Sequence, residues 1–554
     1  MPRFDDSKFS EKLLEVKRHE EEVLMKALAL KYGHQYILLL GTTINTDALR
    51  MISEDVARDA ELLLFERAGN KLSIAIRNPN KPEAKKILAE FTERHFILTV
   101  YMCSRASLEY GWARYHDIKA ALANEKGVLA IGESTIEDIS THTKTVKDVA
   151  DRLSAINKTV HAHQISDVLE VILGGAIALN ASDVHIEPEE SAVRLRFRLD
   201  GVLLDIVDIS TELYMLLRSR LKLLSGLILN KTKEAQDGRF TIDLGGSELD
   251  IRSSIIPGAY GESIVMRLLD PKSTSKTIDD LGIFGPLRTV IEAEILRPNG
   301  MIITTGPTGS GKTTALYALL RYIHKPEVKI ITLEDPIEYK LQGIVQTQVT
   351  KTYSFAEGLR AILRQDPDIL LVGEIRDGEV AETALHAALT GHLVFSTLHT
   401  NSAAGAFPRL IDLGIDAKMI GSAINLVLGQ RLVRKLCPVC RKRRVLTADE
   451  YALIKQVLVT PYAELTITAS SEVYDAIGCD ACSGTGYKGR IGVYEGIRVD
   501  KAVSDIVLTD SREDSIRAVS VAQKIPTMQE DGLMKVLKGI TSLSELARVV
   551  DLKN

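Results

Sequence analysis

The glycine-rich segment GPTGSGKTT at residues 306–314 constrains the fold of this chain more than any other stretch. Gly306, Gly311, Lys312 and Thr313 complete the pattern G-x-x-x-x-G-K-[ST], after the apolar run MIITT and before the helical text TTALYALL. Glycines let backbone N–H groups turn inward around phosphate oxygens, and a helix N-terminus adds positive potential at the same place. The pattern therefore predicts a phosphate-binding loop between a strand and a helix.

The residues of this loop have separate predicted roles. Lys312 should reach the β and γ phosphates of a nucleotide, and the hydroxyl of Thr313 should ligate Mg²⁺. A chance glycine-rich turn is disfavoured because a strand and a helix flank the motif in the required order. The whole predicted nucleotide-binding set is Gly306, Pro307, Thr308, Gly309, Ser310, Gly311, Lys312, Thr313 and Thr314.

Short apolar segments alternate with helical text from about residue 285 onward. MIITT, KIITLED, DILLVGE and HLVFSTLH each have the length of a strand. Apolar strands that are separated by helices are typical of a parallel sheet with both faces covered. The sequence predicts an α/β fold, and a chain of 554 residues is long enough for three or four domains.

Two of these segments end in acidic residues, as the second half of a nucleotide site usually does. IITLEDPIEY offers Glu334, Asp335 and Glu338, and DILLVGEIRD offers Glu374. One acid should orient the Mg²⁺ shell, and another should position or deprotonate the attacking water. Spacing alone does not assign these roles, and an acid at a strand end is often only a helix cap.

Two histidines, His392 and His399, bracket the apolar strand in TGHLVFSTLHTN. An ideal strand would point them to opposite faces, unless His399 already lies in the following turn. A single histidine in such a place is more often a hydrogen-bonded core residue than a catalyst. The pair beside Thr390, Thr397 and Thr400 favours a phosphate sensor.

The chain has five cysteines, four of which form two C-x-x-C pairs. Cys437 and Cys440 lie in CPVC, and Cys479 and Cys482 lie in CDAC. Two such knuckles can supply four thiolates to one tetrahedral Zn²⁺, which leaves no open position for catalysis. The 38 residues between the pairs exceed the common spacing, so a subdomain should fold between them. A structural zinc site is predicted, whereas Cys103 is predicted to be simply buried.

Charge and hydropathy argue against several classes of protein. The net charge of −5 disfavours a chain dominated by nucleic-acid contacts, and the basic run RLVRKLCPVCRKRRV lacks interleaved aromatic residues. A solvated face around the zinc knuckle is the favoured interpretation of that run. No segment approaches the roughly 18 apolar residues of a membrane helix, and the N-terminus has no apolar signal core. A cytoplasmic protein is expected, one that reaches a membrane through a partner.

The N-terminal region predicts a small α/β domain that ends near residue 120. An amphipathic helix is expected from Phe9 to about Tyr32, packed on its own domain rather than in a coiled coil. NKLSIAIRNPNKPEAKKILAEF then predicts a strand, a turn and a helix. The polar stretch at 134–159 is expected to be a linker with helical ends, and the stretch at 270–282 to be a hinge.

Many of these motifs are shared with one family. SDVHIEP, RFRLDG, QDGRF, GPTGSGKTT, LEDPIEY, LRAILRQDPDILLVGEIRD, TGHLVFSTLHTN and QRLVRKLCPVC occur in this order, followed by GYKGRIGVYE and DGLMKVLKGITSLSELARV. Residues 160–554 therefore resemble the secretion ATPases that power type II secretion and type IV pilus assembly. The cysteine pairs and the large N-terminal region point to the assembly branch of that superfamily rather than to its retraction motors.

The resemblance implies roles that spacing leaves open. Glu334 in LEDP looks like the catalytic glutamate, and Glu374 looks like the Walker B acid, which would share Mg²⁺ with Thr313. His392 and His399 match the histidine box of the family. ATP, Mg²⁺ and Zn²⁺ are the implied ligands.

Two arginines acquire a role only through the resemblance, because the residues alone indicate salt bridges between strands. Arg252 in LDIRSS and Arg267 in IVMRLLD match the arginines that the second domain of the family aims at the γ-phosphate. Such ATPases work as homohexameric rings whose domain closures move an inner-membrane platform protein. A cytoplasmic docking partner and a peripheral position at the inner face of the membrane are also implied, without nucleic acid.

The resemblance also orders the domains. It implies a RecA-like P-loop ATPase domain, a smaller α/β second domain, an N-terminal α/β docking domain and a C-terminal four-cysteine zinc subdomain. The match is weaker at the N-terminus, where the Leu/Gln-rich repeat that binds a cyclic dinucleotide in some members is not visible, so that ligand is not predicted. The predicted segments are 1–122 (partner-docking domain), 123–160 (linker), 161–270 (arginine-bearing second domain), 271–284 (hinge), 285–436 (ATPase domain), 437–495 (zinc subdomain) and 496–554 (C-terminal helical region).

Three other functions would use a similar core. A hexameric nucleic-acid translocase, which single-stranded DNA would stimulate, is disfavoured by the net acidity and the absent aromatic patches. A GTPase switch would need N-K-x-D, and NKTK at 230–233 lacks the Asp. A scaffold without turnover is disfavoured because Lys312, Glu334 and Glu374 are all present.

Overall fold

The computed structural model describes residues 20–552 with internal gaps, and the chain divides into two compact units. The first unit is Met1–Ala130 and the second is Ile131–Asn554. The gaps are residues 41, 43, 50, 53, 69–70, 94–95, 116–127, 131–142, 158–164, 245–247, 270–275, 351 and 459–466.

A four-stranded sheet organises the first unit. Its strands are β1 (Gln35–Tyr36), β2 (Leu62–Ala68), β3 (Lys71–Ile76) and β4 (Ile97–Met102), in the spatial order β1-β4-β3-β2. β2 and β3 are antiparallel, whereas β4 is parallel to both β3 and β1. Alternate residues of β2 and β3 enter two separate apolar clusters, so each face of the sheet is covered.

Helices provide that cover. They are residues 20–32 and Thr46–Leu49, Glu54–Asp59, Pro82–Glu93 and Arg105–Trp112, and a short strand β5 (Val128–Ala130) follows. The helix expected from Phe9 is present from residue 20, and its earlier part lies outside the described residues. Its Met25 and Ala29 pack into one of the two clusters, which confirms that it packs on its own domain. The predicted strand, turn and helix are confirmed at Lys71–Ile76 and Pro82–Glu93.

Six strands of the second unit form an antiparallel sheet. They are β6 (Asp183–Pro188), β7 (Val193–Leu199), β8 (Val202–Ile209), β9 (Gln236–Asp243), β10 (Glu248–Pro257) and β11 (Glu262–Leu269), in the order β9-β10-β11-β6-β7-β8. On β7, Val193, Leu195 and Phe197 are buried and alternate with arginines, which is the pattern of a sheet with one covered face. Helices Ile165–Ala178 and Thr211–Leu224 belong to the same domain.

The predicted linker 123–160 has a packed C-terminal end. Its helix Val146–Asn157 buries Val149 and Leu153. A Cβ added to Gly175 of the next helix would approach the Val149 side chain to 2.9 Å, so the two helices are in close contact. This end of the segment is therefore part of the second domain, because its apolar face covers a neighbour. The predicted hinge is described from residue 276 onward and contains the short turn Asp279–Leu281.

A seven-stranded sheet carries the phosphate-binding loop. Its strands are β12 (Gly300–Thr305), β13 (Ile330–Glu334), β14 (Val345–Gln348), β15 (Ile369–Val372), β16 (Leu393–Leu398), β17 (Ile424–Leu436) and, after the hairpin strands β18 (Lys442–Val445) and β19 (Glu472–Asp475), β20 (Tyr487–Arg498). The spatial order is β14-β13-β15-β16-β12-β17-β20, and neighbours from β14 to β17 are parallel. The predicted parallel sheet is thus confirmed.

Helices cover both faces of this sheet through two large apolar clusters. They are Gly285–Glu294, Lys312–Ile323, Phe355–Ile362, Gly378–Leu389, Ala406–Asp412 and Ala417–Ala423. The C-terminal region adds Ala448–Val457, Lys501–Thr509, Glu513–Ser520, Met528–Leu537 and Leu543–Val549. None of the helices in the described part of the chain is long and apolar enough to cross a membrane.

The seventh strand departs from the sequence prediction. β20 pairs antiparallel with β17, from Leu426 opposite Arg498 to Leu436 opposite Tyr487. The predicted boundary between residues 495 and 496 therefore falls inside a strand. Segments 437–495 and 496–554 also share one apolar cluster with β17 and β20, so they are not separate domains. The sequence could not show this because the two strands pair across some fifty intervening residues.

Candidate nucleotide site and cysteine centre

The loop between β12 and the helix Lys312–Ile323 wraps tightly because of its glycines. Gly306, Gly309 and Gly311 have φ angles of 150°, 79° and 88°, which side chains disfavour. A Cβ on Gly306 would lie 2.5 Å from the carbonyl oxygen of Gln430 on β17. Glycine is therefore required at this position for β17 to pack against the loop.

Lys312 is the cation of this loop. Its side chain is buried, and Nζ donates to the carbonyl oxygens of Gly306 at 2.7 Å and Pro307 at 3.2 Å. Burial lowers the pKa of Lys312, and the negative charge of Glu374 opposes that change. The buried hydroxyl of Ser310 has no hydrogen-bond partner among the described residues. Both groups suit a bound phosphate. Its oxygens would carry the negative charge that pairs with the Lys312 ammonium, and they would accept a hydrogen bond from the Ser310 hydroxyl.

A cavity of about 480 Å³ opens beside the loop. The carboxyl ends of parallel strands meet at one edge of a sheet, so residues far apart in sequence converge there. The second domain contributes to the same cavity through β11. Of the predicted site residues and candidate acids, those that line it are Thr308, Gly309, Ser310, Gly311, Lys312, Thr313, Thr314, Glu334, Asp335, Glu338, Glu374, His399 and Arg267.

Glu334 ends β13 and is 3% exposed. Three side chains donate hydrogen bonds to its carboxylate: the hydroxyl of Tyr317, Thr332 Oγ1 at 2.7 Å and Gln346 Nε2 at 3.3 Å. Burial raises the pKa of Glu334, and the three donors oppose that rise. A buried carboxylate with a raised pKa at the cavity wall has the properties of a general base.

Glu374 follows β15 and is held by a histidine and an arginine. Nε2 of His399 lies 3.2 Å from Oε2 of Glu374, and the Arg376 guanidinium contacts Oε1. Arg376 also pairs with Asp335 at 3.3 Å. The acids that follow β13 and β15 are thus joined beside the cavity, and Glu374 is oriented by two neighbours.

His392 does not reach this cavity, in contrast to the sequence prediction. It precedes β16 whereas His399 follows it, so the length of the strand, about 20 Å, separates the two side chains. β16 runs parallel to β12, and β12 ends at the phosphate-binding loop. His392, which precedes β16, therefore lies at the opposite end of the strands from this loop. Its Nδ1 lies 3.0 Å from the carbonyl oxygen of Ala387, the last turn of a helix. The geometry gives His392 a structural contact and leaves His399 alone at the site.

The two predicted arginines are neighbours on β10 and β11, but they have different contacts. Arg267 lines the cavity, and its Nε donates to Oδ1 of Asp183 at 3.0 Å. Arg252 instead donates to Oε2 of Glu338 at 3.1 Å and to the carbonyl oxygen of Ile337 at 2.7 Å. Of the two, Arg267 therefore reaches the cavity, and Arg252 ties the second domain to the loop after β13.

Three residues at this site were missed by sequence reasoning. Arg376 stands two residues after Glu374 in GEIRD, and a basic residue so close to a predicted magnesium ligand was an available signal. Tyr317 and Gln346 lie 17 and 12 residues from Glu334, on other elements. Only the fold brings these two to the carboxylate, so the sequence held no signal for them.

The four paired cysteines converge beyond the ends of β17 and β20. All four Sγ atoms lie within 4.8 Å of one another, and Cys437–Cys479, Cys440–Cys482 and Cys479–Cys482 are separated by 3.9, 3.8 and 3.8 Å. Four thiolates at Zn–S distances of about 2.3 Å in a tetrahedron are about 3.8 Å apart. The donor set therefore fits one Zn²⁺ with no position left for a reacting ligand. Cys103 is buried in the first unit, as predicted.

We expect one Zn²⁺ per chain at this centre, and a loss of both metal and stability in Cys479→Ser. Thiolate ligation couples metal binding to local folding, so removal of one ligand should destabilise the region around the knuckles. Metal analysis and thermal unfolding of freshly purified, reduced protein would measure both effects. Cys103→Ser is the matched control and should retain zinc. The prediction would be contradicted if the wild-type protein contained no zinc and if Cys479→Ser unfolded at the same temperature as the wild type.

Two arginines of the basic run at the first knuckle form ion pairs with neighbouring elements, which differs from the predicted solvated face. Arg434 pairs with the buried Glu545 at 2.7 Å. Arg444 pairs with Glu450 at 2.6 Å and Asp475 at 2.7 Å, and its guanidinium is the main cause that lowers the pKa of Glu450 to about 2. Through these ion pairs the two arginines connect the knuckle to the helices Ala448–Val457 and Leu543–Val549 and to β19. The sequence did not indicate these contacts.

Comparison with known proteins finds matches over most of this chain. Residues 158–548 match the family model described as type II/IV secretion system protein, and residues 32–122 match the MshEN domain. Type II secretion system protein E of Aeromonas hydrophila is 44% identical over 384 residues, which cover 69% of this chain and 75% of that protein. The type IV pilus assembly ATPase PilB of Myxococcus xanthus strain DK1622 is 35% identical over 530 residues, which cover 95% of this chain and 91% of PilB.

A solved structure shows the same fold. The X-ray structure of the ATPase DotB from Legionella pneumophila aligns with a TM-score of 0.50 and 24% identity, over 69% of this chain and 94% of DotB. The family model spans most of the chain, and both relatives agree with it. The resemblance of the motifs is thereby confirmed, and the chain belongs to the type II/IV secretion system protein family.

Proposed function

We propose that this chain is a hexameric ATPase motor that couples ATP hydrolysis to assembly of a type IV pilus or a type II secretion pseudopilus. The observation that carries the proposal is a single cavity lined by Lys312 and Glu334 of the nucleotide-binding domain and by Arg267 of the second domain. A nucleotide in that cavity would contact both domains, so its binding and release can change how the domains are held. The names of the two relatives supply the two candidate machines.

Each residue of the cavity has its own proposed role in hydrolysis. The loop N–H groups and Lys312 bind the β and γ phosphates. Glu334 positions the attacking water and accepts its proton, which its raised pKa favours. Mg²⁺ held by the Thr313 hydroxyl and the Glu374 carboxylate would neutralise charge on the phosphates. His399 contacts Glu374 and thereby keeps that carboxylate oriented.

Arg267 connects the chemistry to motion. It extends from β11 into the cavity, so it can bind a γ-phosphate from the side of the second domain. Loss of that phosphate removes an anion shared by the two domains, which favours their separation. Arg252 and Glu338 form a second, nucleotide-independent link at 3.1 Å, which would limit how far one domain moves.

Six such chains in a ring would combine these movements. An inner-membrane platform protein is the proposed recipient of the work, and its contact would keep the motor at the inner face of the membrane. The N-terminal unit, which matches the MshEN domain, is the proposed dock for a cytoplasmic partner of the machine. No nucleic acid takes part in this proposal.

Hydrolysis and ring formation test the proposal together. The purified chain should hydrolyse ATP slowly, require Mg²⁺, and have the mass of six chains in light scattering. Lys312→Ala should retain the ring but fall below about 1% of wild-type turnover, because phosphate binding is lost. Removal of Mg²⁺ with a chelator should lower the turnover similarly. An active wild-type monomer would refute the ring, and full turnover in Lys312→Ala would refute the assigned site.

A further inference from the structure

Tyr317 is a buried residue of the helix Lys312–Ile323, which begins at the phosphate-binding loop. Its side chain is 2% exposed, and its hydroxyl donates to Oε2 of Glu334. The ring packs in the apolar cluster behind the cavity rather than on the cavity wall. Tyr317 is therefore placed to act on a nucleotide only through Glu334.

The two oxygens of Glu334 are held differently. Oε1 accepts from Thr332 at 2.7 Å and from Gln346 at 3.3 Å, so it has two donors. Among the described residues, the hydroxyl of Tyr317 is the donor to Oε2. The orientation of the carboxylate about its long axis therefore depends on Tyr317, because loss of either donor to Oε1 would leave the other in place.

Tyr317, which contacts Glu334, belongs to the same helix as Lys312 of the phosphate-binding loop. Tyr317 lies five residues after Lys312, about 7.5 Å along the axis of one rigid helix. The contact of Tyr317 thus joins Glu334 directly to the element that begins at this loop.

We propose that Tyr317 is a positioning residue for ATP hydrolysis, which holds the Glu334 carboxylate in the orientation that water activation requires. The inference rests on the proposed role of Glu334 as the base. A carboxylate this deeply buried needs hydrogen-bond donors to remain charged. Burial raises the pKa of Glu334 and the Tyr317 hydroxyl opposes the rise, which agrees with such a role.

Tyr317→Phe tests the proposal because it removes one oxygen and keeps the ring in the core. We expect kcat to fall about tenfold or more, as for loss of a hydrogen bond to a charged group. The dissociation constant for ATP and KM should stay at the wild-type value, since the hydroxyl lies behind the cavity. Thr332→Val should lower kcat less, because Gln346 still donates to the same oxygen.

Tyr214→Phe is the matched control. Tyr214 is also 2% exposed, and its hydroxyl donates to the carbonyl oxygen of Glu262 at 2.7 Å in the second domain. The control loses a buried hydroxyl of the same kind, so its thermal stability should fall comparably while kcat stays unchanged.

Unchanged kcat in Tyr317→Phe would overturn the proposal. Equal losses of kcat in Tyr317→Phe and Tyr214→Phe, or a weakened affinity for ATP in Tyr317→Phe, would also overturn it, because they indicate a merely structural role. Failure of the proposed base is seen in a different variant: wild-type turnover in Glu334→Gln would show that the base lies elsewhere.

Discussion

Glu334→Gln is expected to bind ATP as tightly as the wild-type chain and to hydrolyse it about 100- to 10,000-fold more slowly, the usual contribution of a general base. The amide has the size of the carboxylate, and the hydroxyls of Tyr317 and Thr332 can still partner it, so the cavity should keep its shape. What disappears is the negative charge to which the proposed function assigns acceptance of a proton from water. Single-turnover hydrolysis and equilibrium ATP binding would measure the two quantities separately.

Glu374→Gln provides the comparison. Its side chain is the proposed ligand of Mg²⁺, so this variant should weaken binding of Mg²⁺–ATP as well as hydrolysis. Two variants that differ in ATP affinity would therefore separate the base from the metal ligand. Wild-type turnover in Glu334→Gln would reassign the base to Glu374 or to another acid.

Replacement of both Arg252 and Arg267 by alanine should slow hydrolysis more than either single replacement and leave ADP binding intact. A charge-assisted hydrogen bond to phosphate is worth about 1.5–3 kcal/mol, so Arg267→Ala alone should slow hydrolysis about tenfold to a hundredfold. Arg252→Ala should have a smaller effect, because Arg252 binds Glu338 and Ile337 instead of lining the cavity. Steady-state hydrolysis of the single and double variants would rank the two arginines.

Mixed rings test whether the arginines serve their own chain. Arg267 and Lys312 line one cavity within one chain, which favours a site completed in cis. In rings that combine the double arginine variant with Glu334→Gln, no chain then holds a complete site, and mixing should restore nothing. Substantial recovery of hydrolysis would show that the arginines reach the phosphate of a neighbouring chain.

The parts of the site that the sequence predicted correctly are local or follow from strand direction. GPTGSGKTT carries its loop geometry in its own glycines, and each C-x-x-C pair places two thiolates close together. Glu334 ends β13 and Glu374 follows the parallel strand β15, so both had to lie at the end of the sheet where the loop is. Short-range geometry sufficed for these features.

The features that the sequence did not predict depend on pairing across the fold. His392 and His399 differ only in which end of β16 they occupy, and strand direction against β12 decides which one reaches the cavity. Arg252 and Glu338 are 86 residues apart, and their ion pair exists because two domains approach each other. Neither fact is encoded in spacing or residue type.

β17 and β20 form a two-stranded ribbon that extends beyond the other strands of the sheet. β12 flanks β17 only as far as Gly429, and from Gln430 to Leu436 the ribbon has two strands. Gln430 touches the phosphate-binding loop, and Cys437 follows Leu436, so one strand of about 20 Å joins the loop to the cysteine centre.

A two-stranded ribbon is marginally stable alone. Here Val433 and Val493 pack in the apolar cluster that the helices Met528–Leu537 and Leu543–Val549 share, and the four cysteines lie together at the tip of the ribbon. We therefore expect oxidation of the four thiols to weaken ATP binding as well as metal binding, although no cysteine lines the nucleotide cavity.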